Sequence, residues 1–176
     1  MKIKTSSVAI VILSWNDSKN TIECLKSVFK NDYLNFDVVL VDNNSTEGHF
    51  NKVLSWCKSQ RINFHLINSK IKSFTKKNKN LFIFRINEVA NFPFAKNLGV
   101  ARGYNKGFNF VLKKNYDFFI RLDCDFIVPK NYITGLVETF VKNKSAVAVS
   151  PKVYYHIKKK TKIIWWKELK YTKNYF

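Results

Sequence analysis

Cysteine, acidic residues, glycine and long apolar runs are all scarce in this sequence, and each scarcity removes a class of protein. The three cysteines, Cys24, Cys57 and Cys124, are an odd count with no CxxC pair and no histidine at zinc spacing. That excludes a disulfide framework, points to no structural metal site, and leads us to expect a reducing, cytoplasmic setting. The N-terminal apolar run, Val8 to Leu13, is too short for a secretory core followed by a cleavage site. It is also far below the roughly 20 residues of a membrane-spanning helix, so no segment is expected to cross a bilayer. Acids number 12 against 31 Lys and Arg, for a formal net charge of +19. The excess is uneven, with 8 basic and 6 acidic side chains in residues 1–67 but 23 and 6 in residues 68–176. Of the five glycines none builds a GxGxxG fingerprint and none precedes a Lys-Ser or Lys-Thr pair, so the dinucleotide and phosphate-loop templates both fail.

What is present is 46% apolar and 16% aromatic residues over 176 positions, enough for one domain with a sizeable core. Short apolar runs alternate with stretches of helical spacing, the pattern of a sheet covered by crossover helices. Strands are expected at Val8 to Leu13 and Phe36 to Val41, with helices from Ser18 to Lys30 and from Ser45 or Thr46 to about Lys58. Two runs, Asn63 to Ile67 and Leu81 to Ile86, compete as the third strand, and a hairpin or mobile loop is expected across the lysine-rich stretch Lys70 to Lys79 between them. A helix from about Asn97 to Lys114, a strand from Asp117 to Leu122, a helix from Pro129 to about Asn143 and a last strand from Ala146 to Val149 complete the series. The alternation implies right-handed crossovers and a mostly parallel sheet, in which ligands gather beyond the carboxyl ends of the strands where strand order reverses.

The residues following those strands are therefore the informative ones. They are Ser14-Trp15-Asn16-Asp17, Asp42-Asn43-Asn44-Ser45 and Asp123-Cys124-Asp125, each polar after an apolar strand body. One reading is that Asp17 or Ser18, and Ser45 or Thr46, simply cap the following helices. The other is that the three ends converge on one ligand. Asp123 and Asp125, at i and i+2 of an extended segment, point the same way and can share one hard cation such as Mg²⁺ or Mn²⁺, whose shell diphosphate oxygens complete. A turn before Pro129 or a pair of solvated charges is the plainer alternative. Cys124 faces the other way, as a packing residue. Gly99, Gly103 and Gly107 stack on one face of the expected helix at up to ~1 kcal/mol each relative to alanine, so something approaches that backbone closely. Either a neighbouring element packs there, or a phosphate is held at the helix start near Arg102.

The blocks VAIVILSWN (8–16), FDVVLVDNNST (36–46), NLGVARGYNKG (97–107), YDFFIRLDCDFIVP (116–129) and VAVSPKVYY (147–155) resemble, in order, those of family 2 glycosyltransferases, and among them the rhamnosyltransferase-like branch. The resemblance covers residues 7 to about 165 and implies an α/β, GT-A-like (Rossmann-like) single domain with a mostly parallel sheet flanked by helices. It further implies a metal-dependent, inverting transfer of a sugar from a nucleoside diphosphate sugar to a hydroxyl acceptor, a glycan or a lipid-linked glycan. On that resemblance Trp15 lies against the base, Asp42 accepts a hydrogen bond from it, and Asp123 contacts the ribose or sugar side. Asp125, with Asp123, ligates Mg²⁺ or Mn²⁺, and Arg102 lies near the diphosphate. Inversion needs a carboxylate to take the acceptor proton. Downstream of Asp125 only Glu138 and Glu168 remain: Glu138 falls mid-helix as a surface residue, and Glu168 is the candidate base.

These blocks divide the chain into a nucleotide-sugar-binding core, 1–150, with a basic insertion at about 68–80, and a basic aromatic segment, 151–176. That segment holds 8 lysines, one acid and eight aromatic or histidine rings. Lysines beside Trp165 and Trp166 suit an anionic membrane surface at the cytoplasmic face, and equally suit plain solubility. They would also suit nucleic acid, but no RNA- or DNA-binding motif accompanies them. A binding module for anionic surfaces or nucleic acid, and a donor-binding domain without turnover, are the alternatives to an enzyme.

Overall fold

The computed structural model describes residues 6–67, 79–86, 97–157 and 160–163. Most of the basic insertion and most of the C-terminal segment, Glu168 included, lie outside the described residues. The chain order is β1 (Val8–Ser14), α1 (Ser18–Phe29), β2 (Phe36–Asp42), α2 (Glu47–Ser59), β3 (Phe64–Ile67), β4 (Leu81–Arg85), α3 (Gly99–Leu112), β5 (Phe118–Asp123), α4 (Tyr132–Lys142), β6 (Tyr154–Ile157) and β7 (Lys160–Ile163). Five strands form one sheet in the order β3-β4-β2-β1-β5, and every pairing in it is parallel. Helices therefore have to cover both faces, and the near-continuous apolar strands β1 and β2 follow from that double burial.

Alternation along each strand sorts the core into two layers. Val8, Ile10 and Ile12 of β1 face Cys24, Leu25 and Val28 of α1, Phe50 and Val53 of α2 and Ile133 and Val137 of α4. Ala9 and Val11 face Tyr104 and Val111 of α3 on the other side. Each fully buried Val or Ile contributes about 1.5–3 kcal/mol relative to exposure, so β1, buried on both faces, anchors the sheet. Strand order runs outward from β1 to β2 on one side, and α3 then carries the chain back over the sheet to β5 on the other. The order thus reverses at β1.

The glycine face of α3 resolves as packing. A Cβ at Gly103 would stand 2.6 Å from Leu13 Cδ1, and one at Gly107 would stand 2.5 Å from Val11 Cγ1 and 3.0 Å from Val41 Cγ2. Gly99 differs, with φ +74° and open space around it, so there the backbone conformation at the helix start requires glycine.

Two sequence expectations are corrected. The two competing third strands both form, side by side and parallel; the hairpin or mobile loop expected between them falls almost wholly on residues 68–78, which lie outside the described residues. The strand expected from Ala146 to Val149 does not form: among the described residues no neighbouring strand supplies a ladder, and Val147 is 92% exposed. Instead β6 and β7 make a separate antiparallel pair at the start of the C-terminal segment.

Because Val11 and Val41 are stiff, β-branched neighbours, Gly107→Ala is expected to cost about 1–3 kcal/mol through overpacking. Gly135→Ala, with nothing within 4 Å of its Cβ in α4, is expected to gain roughly 0.5–1 kcal/mol. Urea denaturation of the two variants checks the opposite signs.

Candidate functional site at the carboxyl edge of the sheet

Register brings the strand ends together. Ser14 at the end of β1 pairs with Asp42 on one side, and Leu13 pairs with Asp123 on the other. Two strand spacings separate Asp42 from Asp123, about 10 Å across β1. Their side chains fall on opposite faces, Asp42 with Leu40 toward α1 and α2, and Asp123 with Arg121 toward α3. Trp15, 41% exposed, stands directly after β1 between them.

Side-chain hydrogen bonds clamp the loops that carry these residues. Asn16 adopts φ +52°, which asparagine tolerates better than most residues. It donates its N–H to Ser45 Oγ at 2.8 Å and accepts from Thr46 N at 2.8 Å through Oδ1, tying the loop after β1 to the loop after β2. Asn43 is buried and ties that second loop to α3, accepting from Leu98 N at 3.0 Å and donating to Gly99 O at 3.2 Å. The capping reading holds for Asp17, which accepts from Asn20 N at 3.1 Å at the start of α1. It fails for α2, whose N-cap Thr46 makes no side-chain cap bond while Ser45 bonds to Asp42 and Asn16.

Asp42 is the electrostatic centre of one half. It is 4% exposed, and its Oδ2 has no hydrogen-bond partner. Burial pushes its carboxyl above the ordinary range, against hydrogen bonds from the Ser45 side chain and amide and the charge of Arg85. Arg85, the last residue of β4, pairs in register with Asp42. Its Nε lies 3.7 Å from Asp42 Oδ2 and is itself unpartnered, its Nη2 reaches Glu47 at 2.6 Å, and its guanidinium covers the Phe50 ring at 4.2 Å. Asp42 thus lines a recess together with Ser14, Ser18, Ser45, His49 and Phe50, and the buried donor of Arg85 stands 3.7 Å from the buried acceptor of Asp42, too far to satisfy it by a hydrogen bond. Such a pair suits a planar ligand edge that offers an N–H next to a carbonyl.

The other half centres on Asp123. Its Oδ1 accepts from Tyr104 Oη at 2.6 Å and from Arg121 Nη2 at 3.2 Å. Asp125 is exposed in the turn after β5, closed by Phe126 N donating to Asp123 O at 3.2 Å. The expectation that Asp123 and Asp125 lie along one extended segment is therefore corrected: β5 stops at Asp123 and the chain turns at once. Cys124 packs against the α1 and α4 layer, as expected. Burial raises the Cys124 thiol, opposed by a hydrogen bond with Thr21, and the charges of Asp17 and Asp125 raise it further. Burial likewise pushes Cys24 up to about 12, so neither thiol serves as a nucleophile near neutrality. Arg102 is exposed in the first turn of α3, whose start Asn43 holds. Glu138 pairs with Lys142 at 3.6 Å on the surface of α4, and Glu168 lies outside the described residues.

Sequence reasoning missed Arg85, Tyr104 and Arg121. Arg85 ends an apolar strand, LFIFR, and the rule applied to the other strand ends finds it once β4 is admitted as a strand.

The model of glycosyl transferase family 2 matches residues 9–87 and 79–176, and the chain belongs to that family. Among solved structures, it is similar to the mannosyltransferase PcManGT from Pyrobaculum calidifontis, solved in complex with GDP-Man and Mn²⁺. The TM-score is 0.54 at 16% identity, over 77% of this chain and 33% of that one. That likeness shows the fold, a GT-A-like α/β domain, and this chain spans about a third of the mannosyltransferase's length. TarS of S. aureus aligns with a TM-score of 0.46 at 20% identity, over 70% of this chain and 17% of that one. No curated protein matches the sequence.

A carboxyl raised on folding contributes stability that is fully present below its unfolded pKa and is lost as pH rises through the folded value. Ionised Asp42 therefore costs stability at neutral pH. Asp42→Asn is expected to raise the ligand-free melting temperature at pH 7 by roughly 2–4 °C, about 1 kcal/mol for a chain of this size. The gain is expected to fade toward about pH 4, near the usual carboxylate value. Calorimetric melts across that range check it, and a lower melting point at pH 7 contradicts it.

Proposed function

We propose that this chain binds a nucleoside diphosphate sugar along the carboxyl edge of its sheet and serves sugar transfer to a hydroxyl acceptor. The observation that carries the reading is Asp42: a buried carboxylate whose free oxygen stands beside the free Nε of Arg85 at the place where strand order reverses. Asp42 accepts an N–H and Arg85 donates to the adjacent carbonyl, a pattern found on the edges of uracil, thymine and guanine and lacking on adenine and cytosine. Trp15 covers the base, Asp123 receives a hydroxyl of the ribose or sugar, and Arg102 lies toward the diphosphate. PcManGT, bound to GDP-Man and Mn²⁺, is consistent with such a donor.

Among the described residues no group of three or more His, Cys, Asp or Glu side chains gathers as a cation site. The oxygen donors Asp125 and Asp123 nonetheless fit a hard divalent cation that takes most of its ligands from a diphosphate. Such a cation, when bound, offsets the negative charge that develops on the departing diphosphate. Asp125 and Asp123 would hold it, while Arg102 stabilises the same charge from the helix side. Inverting displacement needs a base for the acceptor hydroxyl, and in this reading it is Glu168. The acceptor is a glycan or lipid-linked hydroxyl, presented at the cytoplasmic membrane face to which the basic aromatic segment is drawn.

With Mn²⁺ present, GDP, UDP and dTDP are expected to raise the melting temperature while ADP and CDP leave it unchanged, since a ligand bound only by the native state stabilises it. Asp125→Ala is expected to remove the Mn²⁺-dependent part of nucleotide binding in calorimetry without lowering the ligand-free melting point. Equal shifts from all five nucleotides, or unchanged binding by Asp125→Ala, overturn the reading.

A further inference from the structure

We propose that Tyr104 and Arg121 are positioning residues that hold Asp123 by a single oxygen and leave the other, Oδ2, as its one ligand-facing acceptor. The inference rests on the donor-site reading above and goes beyond it, because it concerns how the carboxylate is oriented.

Both contacts fall on the same atom. Tyr104 Oη lies 2.6 Å from Asp123 Oδ1, with Arg121 Nη2 3.2 Å from the same oxygen, and among the described residues nothing bonds to Oδ2. Tyr104 Oη also lies 3.0 Å from Leu122 O, but it has one proton, and the shorter, charge-assisted contact takes it. The phenol is only 3% exposed, shut off from solvent that would compete for its hydroxyl. Its ring has a fixed seat, stacked on Phe108 with centroids 5.8 Å apart and covered by the Arg121 guanidinium at 4.5 Å.

The packing of α3 explains why this hydroxyl can reach the strand end. Gly103 and Gly107 let the helix backbone lie against β1, and Tyr104, next to Gly103, extends from that close position to β5. Asp123 needs such an anchor. β5 is an outer strand of the five, bonded on one side to β1, and the chain turns away immediately after Asp123. Without Tyr104 the carboxylate rotates about two side-chain bonds and offers its oxygens interchangeably. With Tyr104 and Arg121 it offers one, in a fixed place, to the sugar-side hydroxyl or to the cation it shares with Asp125.

The test is a double-mutant cycle on nucleotide binding, read by calorimetry with GDP and UDP, each with Mn²⁺. Tyr104→Phe keeps the ring, its stacking and its cation contact, and removes only the hydroxyl. It is expected to weaken binding about tenfold, and Asp123→Asn by at least as much. In the double variant, Tyr104→Phe is expected to cause no further loss, since it acts through the Asp123 carboxylate. Arg121→Gln is expected to show the same dependence with a smaller loss. Additive losses, or full affinity in Tyr104→Phe where Asp123→Asn has lost it, overturn the proposal. So does loss in Tyr104→Phe that follows a collapse of the ligand-free melting temperature, which Arg121→Gln, altering only an exposed side chain, would not share. A wild-type chain that binds neither nucleotide overturns the donor-site reading itself, and the wild-type arm alone reveals that result.

Discussion

A side chain at position 107 would stand 2.5 Å from Val11 and 3.0 Å from Val41, so α3 can lie where it does only with hydrogen there. That constraint propagates along the helix toward its start. The close approach brings Leu98 and Gly99 within reach of Asn43, which ties α3 to the loop after β2. One turn on, it brings Tyr104 to the end of β5. Two loops and one strand end that are far apart in sequence are thereby fixed relative to one another by a helix that has given up side chains to do so. The cost of glycine in a helix, up to ~1 kcal/mol each, is offset by the burial and hydrogen bonds that the approach permits.

The two edges of the sheet treat their carboxylates differently. At the amino edge Asp37 accepts from Asn80 N at 2.8 Å, Asn80 Nδ2 at 3.0 Å and Tyr116 Oη at 2.8 Å, and Asp117 accepts from both the amide and hydroxyl of Ser7. Those hydrogen bonds hold the Asp117 carboxyl below its ordinary value, and its job ends within the protein. At the carboxyl edge Asp42 keeps an oxygen without a partner although it is buried. Burial without a partner is expensive, and the amino edge shows that this chain has the means to satisfy an acid wherever it serves structure alone. The contrast supports the proposal that Asp42 faces a ligand whereas Asp37 and Asp117 serve the fold.

Much of the architecture was legible in hydrophobic period alone. β1, α1, β2 and α2 lie within two residues of their expected bounds because apolar runs doubly buried in a parallel sheet, and helices with apolar residues three and four apart, write their burial directly into the sequence. The third strand was ambiguous for a physical reason: β3 is a four-residue edge strand, only partly buried, and carries little pattern. Ala146 to Val149 had the pattern and lacked a partner, which no local period reveals. The site divides the same way. Asp42 and Asp123 were legible as polar ends of apolar strands, whereas Arg85 depended on knowing that β4 pairs with β2. Tyr104 and Arg121 were invisible, since a tyrosine among glycines and an arginine inside YDFFIRLD acquire meaning only when α3 is laid across β1.

The placement of Asp42 and Asp123 on opposite faces restricts any ligand that touches both. A side-chain alternation of two and a register that sets Ser14 against Asp42 and Leu13 against Asp123 leave no path through the sheet, which β1 fills. The ligand has to run over the carboxyl edge of β1, with one end held beside α2 and the other beside α3. Trp15 is the first residue past that edge, and its ring, partly exposed, is the apolar surface such a ligand would meet. Asn16, in a left-handed conformation and clamped to Ser45 and Thr46, fixes where the chain turns after Trp15. A long ligand with a flat polar edge at one end and hydroxyls some distance away matches this course, whereas a compact anion would leave one of the two carboxylates unused.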